Sequence, residues 1–128
     1  MRILAFLVCF VSALDAETPF ACNLRAFQPG ERKQWRKLIE EMSSAVVEAR
    51  ELPDGYTLHV DSRRTSLVKL SEWAVLERKC CPFFDFELVL HGEDGSLWLN
   101  LRGRDGVKQF IREDFTLLRD RLGTARVN

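Results

Sequence analysis

Phe84-Asp85-Phe86-Glu87-Leu88-Val89-Leu90-His91-Gly92-Glu93-Asp94-Gly95-Ser96-Leu97-Trp98-Leu99-Asn100-Leu101 is the stretch from which the fold can be read. Phe84, Phe86, Leu88 and Leu90 alternate with polar or mixed neighbours, and Leu97, Leu99 and Leu101 repeat the alternation beyond Gly92-Glu93-Asp94-Gly95. A period of two puts each apolar set on one face of a strand, and the glycine-bounded tetrapeptide reverses the chain. The stretch therefore reads as an antiparallel hairpin with one buried face. Such a face must be covered by another layer, so amphipathic helices are expected nearby.

Working outward, a helix is expected from Thr65 or Ser66 to Cys80 or Cys81, where Pro82 ends it by disfavouring helical geometry in the preceding residue. Tyr56, Leu58 and Val60 alternate as a strand, with His59 on the opposite face. From Glu31 to about Arg50, Trp35, Leu38, Ile39, Met42, Val46 and Ala49 recur at steps of three and four, the stripe of an amphipathic helix. Trp35 and Met42 are read as core residues. Pro53-Asp54-Gly55 stops that helix in a turn, and Pro29 can open it. Phe20, Cys22, Leu24 and Ala26 alternate, suggesting a short first strand with Cys22 facing the core. Asp105 can cap a last helix with Val107, Phe110, Ile111, Phe115 and Leu118 inward. Gly103 and Gly106 lack the residues of a phosphate loop and read as turn glycines. The order β-α-β-α-β-β-α describes a single α+β domain over residues 17–128, with a mainly antiparallel sheet and helices packed on one face.

Composition narrows the function classes. With 128 residues, 46% hydrophobic and 30% charged, the chain has the make-up of one compact soluble domain. Nineteen basic residues balance nineteen acidic ones, so no basic field exists to hold a nucleic-acid backbone. The N-terminus, Met1-Arg2 followed by the apolar run Ile3–Val11 and by Ser12-Ala13-Leu14-Asp15-Ala16, has the three parts of a secretory signal. Residues 1–16 are accordingly expected to be a signal peptide, with cleavage after Ala13 fitting small-residue rules better than after Ala16. The run is too short to span a bilayer, so no stable membrane insertion is expected once it is removed. The localisation implied is secreted or periplasmic, and cytoplasmic if the N-terminus is a misassigned start.

Removal of that segment takes Cys9 with it and leaves Cys22, Cys80 and Cys81, an odd count for an oxidising compartment. On the 65–81 helix, Glu77 lies in the middle of the apolar stripe, with Leu70, Trp73 and Ala74 beside it and Cys80 and Cys81 flanking it one turn later. A carboxylate in a core stripe is costly unless it is paired, hydrogen-bonded or protonated, so it calls for a partner or a function. Cys22 could reach the same place. The helix C-terminus and an ionised Glu77 both disfavour a thiolate, which argues against a nucleophilic cysteine and for protonated thiols. A soft cation changes this by displacing the protons. Zinc fits less well, because His59 and His91 both have the strand parity that faces away from the core. Neighbouring Cys80 and Cys81 would close a strained ring, so oxidation is expected to join Cys22 to one of them. The candidate metal ligands are thus Cys22, Cys80, Cys81 and Glu77, for a soft metal or metalloid ion such as mercury, arsenic or copper.

The segment Glu77-Arg78-Lys79-Cys80-Cys81-Pro82-Phe83, followed by Phe86-Glu87-Leu88, Leu97-Trp98-Leu99, Gly103 and Gly106-Val107-Lys108, resembles a group of small, largely uncharacterised bacterial proteins with an E-R-x-C-C-P-F motif. Members are often encoded beside mercury or arsenic resistance genes, and an early cysteine such as Cys22 fits their pattern. The resemblance runs from about Cys22 to Phe115 and implies a heavy-metal context without specifying a reaction. The exported-looking N-terminus departs from the usual member. Three functions follow, in descending order: a soft-metal binding module, a structural or interaction domain whose surface includes Val68, Val75 and Trp98, and a thiol oxidoreductase or metal–carbon lyase using two cysteines and Glu77.

Overall fold

The computed structural model describes residues 19–115, 118, 122–123 and 126–127; the expected signal peptide, residues 1–16, lies outside them. After a 3-10 turn at Leu24–Ala26 come α1 (Glu31–Ala45), β1 (Val46–Leu52), β2 (Gly55–Val60), α2 (Leu67–Cys80), β3 (Asp85–Leu90), β4 (Leu97–Arg102), α3 (Val107–Asp114) and β5 (Arg126–Val127). The strands form one sheet in the order β3-β4-β2-β1-β5. The first four pair antiparallel, while the short β5 runs parallel to β1. The fold is α+β, as the alternation in residues 84–101 requires, and the hairpin forms with Phe86 opposite Leu101 and Leu90 opposite Leu97.

One face of the sheet carries the core. Tyr56, Leu58 and Val60 from β2 and Leu97, Leu99 and Leu101 from β4 are buried beneath Leu38, Ile39 and Met42 of α1, Leu70 and Trp73 of α2, and Val107 and Ile111 of α3. Burial of each such aliphatic or aromatic side chain stabilises the fold by about 1.5–3 kcal/mol. On the other face, His59 stacks on Trp98 at 4.6 Å between ring centres, and the Arg50 guanidinium lies over the same indole at 4.7 Å. The sheet has no room for a side chain at Gly55, where a Cβ would run into the Leu101 carbonyl of the neighbouring strand.

The structure corrects three sequence expectations. The helix beginning at Glu31 ends at Ala45, and Val46–Leu52 form β1. The register shifts between Val46 and Glu48, so that Val46 opposes Val60 and Ala49 opposes Leu58. The extra residue of this bulge leaves Val46 and Ala49 both buried although they are three apart, which imitates a helical step. Pro53-Asp54-Gly55 therefore turns one strand into the next.

The strand expected at 20–26 does not form. The Asn23 carboxamide accepts a hydrogen bond from Arg25 N at 3.1 Å and caps the Leu24–Ala26 turn, a local bond that competes with strand pairing. Cys22 consequently lies in an exposed residue rather than on a core-facing strand. The third correction is at α3, whose N-cap is Gly106 at φ 98° with no side-chain cap, in place of Asp105.

Candidate functional site

The site is assembled at the C-terminal end of α2. Ser66 starts this helix by accepting a hydrogen bond from Lys69 N at 3.3 Å, and Leu70, Trp73, Leu76, Glu77 and Cys80 form its buried stripe. At the other end, Cys81 N donates to the Glu77 carbonyl at 2.7 Å before Pro82 diverts the chain. One helical end thus fixes Glu77, Cys80 and Cys81 together, as the spacing of three and four residues predicts.

The fourth member arrives from the N-terminal segment. Asn23 N donates to the Cys80 carbonyl at 2.8 Å, and Cys22 is joined to Cys81 by a disulfide with a Cα–Cα distance of 4.8 Å. The pairing is the kind expected, bridging Cys22 to one of the two adjacent cysteines. Cys80 remains a free, buried thiol. It donates to the Glu77 carbonyl at 3.4 Å, and its Sγ lies 3.7 Å from Cys81 Sγ. The ligating atoms of Cys22, Glu77, Cys80 and Cys81 all lie within 4.8 Å of one another.

Glu77 is fully buried. Its Oε2 accepts a 2.5 Å hydrogen bond from the Trp35 indole N–H of α1, while Oε1 and the nearby Trp73 indole N–H have no hydrogen-bond partner among the described residues. Burial pushes the carboxyl up to about 7, opposed by the Trp35 N–H and then by the nearby Trp73 N–H. Burial, reinforced by the Glu77 charge, pushes the Cys80 thiol up to about 12. The thiol is therefore protonated at neutral pH, as expected, though chiefly because of burial and not of the helix end, and it is not an activated nucleophile. Two-electron, two-proton reduction of the disulfide would leave three thiols around one carboxyl.

Trp35 was expected only as a core residue. Its half-buried ring leans on Phe27 at 5.5 Å while its N–H serves Glu77. The available signal was the pairing of an unexplained buried carboxylate with an indole donor on another apolar stripe. His59 and His91 do not join the cluster: His59 is stacked on Trp98, and His91 is exposed beyond the end of β3. Lys79 bridges to Glu31 at 2.5 Å and Lys69 to Glu41 at 2.6 Å, tying α2 to α1 on either side of Glu77.

The fold and site together define an α+β domain with a disulfide-closed cluster of three cysteines and a buried carboxyl. Comparison of the chain with family models, curated proteins and solved structures gave no match. No helix among the described residues is long and apolar enough to cross a membrane.

Proposed function

We propose that this protein captures a soft metal or metalloid ion, such as mercury, arsenite or Cu(I), through Cys22, Cys80 and Cys81 once the Cys22–Cys81 disulfide has been reduced. The observation that carries the reading is the convergence of three sulfurs and the Glu77 carboxyl within 4.8 Å. Thiolates are the preferred ligands of such ions, and the absence of a histidine from the cluster weakens the case for zinc. Glu77 serves as an outer ligand or hydrogen-bond partner. The resemblance of Glu77–Phe83 to proteins encoded beside mercury and arsenic resistance genes supports a role in heavy-metal resistance. The disulfide is compatible with an oxidising compartment, and residues 1–16 carry the case for export to the periplasm or beyond. There the resting form is the closed one, and a thiol reductant opens it.

The test is native mass spectrometry of the chain with its disulfide intact and after reduction, challenged with Hg(II), arsenite, Cu(I) and Zn(II). The reduced protein is expected to hold one soft ion with loss of protons, and a Cys80→Ser/Cys81→Ser variant to hold none. Equal uptake by that variant overturns the reading.

The disulfide itself favours a second reading, in which Cys22–Cys81 is a structural staple and Cys80 a small buried apolar side chain. Absence of specific uptake by the reduced protein would select it.

A further inference from the structure

A cavity of about 250 Å³ opens against the cluster. Cys22 and Glu77 line it, Leu24, Trp35, Ile39 and Phe115 supply apolar walls, and the exposed Asp114 completes the lining. A bare ion bound to three sulfurs would make no use of this space. An apolar cavity of about 150 Å³ suffices for benzene, so a phenyl-sized group fits here with room to spare.

On the thiol-capture reading above, we propose that the site takes monoorganyl forms of a soft metal or metalloid, with the metal on the cysteine sulfurs and the organic group in the Leu24–Trp35–Ile39–Phe115 cavity. Three observations support this. The cavity shares Cys22 and Glu77 with the ligand cluster, so one molecule can reach both. Its remaining walls, apart from Asp114, are hydrocarbon and aromatic, which suits an alkyl or aryl group. Glu77, fully buried with Oε1 unpartnered among the described residues, lines the junction between the two. Binding is a ligand exchange: the metal–sulfur bond to a carrier thiol breaks, one to a protein sulfur forms, and the protein's thiol proton passes to the departing thiolate. No oxidant or reductant is consumed beyond the thiol reductant that opens the disulfide.

The experiment compares three probes on the reduced full chain, freed of reductant: Hg(II), methylmercury and phenylmercury, each delivered as its glutathione complex. Referring each exchange constant to glutathione removes the intrinsic preference of the metal for sulfur. Phenylmercury is expected to transfer about 10- to 100-fold more favourably than methylmercury, the gain from burying one aromatic ring. Leu24→Trp, which places an indole at the cavity wall, is expected to abolish that preference while Hg(II) is still captured, with circular dichroism confirming the fold. Equal transfer of phenyl- and methylmercury by the parent protein overturns the proposal without needing any variant. Retention of the phenyl preference in folded Leu24→Trp also overturns it. Failure of all three probes to transfer removes the thiol-capture reading itself, and this inference with it.

Discussion

Glu77→Gln isolates the cost of keeping a carboxyl in the core. In the fold this group titrates at about 7 instead of its ordinary 4.5, chiefly because burial penalises the charged form. Between those values the folded chain holds a proton that the unfolded chain has released, so stability falls as pH rises. The contribution is complete below pH 4.5, at about 3 kcal/mol, and is lost as pH rises through about 7. Linkage then leaves about 2 kcal/mol at pH 5.5 and almost nothing at pH 8.5. The groups facing Glu77 are Trp35 from α1, Trp73 and Cys80 from its own helix, the Cys22–Cys81 disulfide, and Asp114 across the cavity. Cys80 does not ionise in this interval. A glutamine keeps an oxygen for Trp35 and does not titrate. Urea unfolding of the disulfide-intact parent and variant at pH 5.5 and 8.5 provides the assay, because groups common to both proteins cancel in the difference. The parent is expected to lose about 2 kcal/mol more than Glu77→Gln over this range. Parallel pH dependence in the two proteins would refute the assignment of a raised carboxyl pKa to Glu77.

Three further outcomes are expected. Trp35→Phe leaves Glu77 Oε2 without its donor and should destabilise the fold by about 1–3 kcal/mol, with the larger loss at pH 8.5 in the same urea assay. Cys22→Ser removes a cross-link spanning 59 residues and should lower unfolding free energy by about 2–4 kcal/mol relative to the oxidised parent, while reduction of the parent produces a loss of similar size. Gly55→Ala forces a methyl group into the Leu101 carbonyl and should cost at least about 2 kcal/mol, visible as a lowered melting temperature with the cysteine cluster intact.

The sequence exposes most of this architecture because β4 and α2 obey single periods; β3 keeps the alternation, but as the edge strand it leaves Phe86 and Leu88 half-buried and Leu90 exposed. The leucines of β4 are buried at every second position, and Ser66 and Pro82 bound α2 by local chemistry that survives any tertiary context. Where two periods coincide, pattern reading fails. The bulge between Val46 and Glu48 gives a strand the spacing of a helix, and only pairing with β2 distinguishes them. Phe20, Cys22, Leu24 and Ala26 have strand alternation, but Asn23 turns the chain back on itself through its own side chain. Three of the four candidate ligands are legible because helix spacing places Glu77, Cys80 and Cys81 on one surface, whereas Cys22 joins them from a turn and not from the strand expected for it. The link of Glu77 to Trp35 is not legible, since it depends on how α1 lies across α2, a distance of 42 residues along the chain.

That arrangement bears on what happens when the disulfide opens. Glu77, Cys80 and Cys81 belong to one continuous helix end, and α2 is tied to α1 by the Trp35–Glu77 hydrogen bond and the two lysine bridges. The bridges are partly exposed and add little individually, but the helices also share the Leu38, Ile39, Leu70 and Trp73 core. None of these contacts requires Cys22. On the N-terminal side, Phe20 packs edge-on against Phe83 at 5.4 Å and lies under the Arg104 guanidinium at 4.2 Å, while Asn23 N stays on the Cys80 carbonyl. Reduction therefore removes one covalent tie from a segment with several others, and three of the four candidate ligands keep a scaffold that does not depend on it. The disulfide withholds the Cys22 and Cys81 thiols, and helix packing fixes where Cys80 and Cys81 lie. A site built this way can be opened chemically without being taken apart.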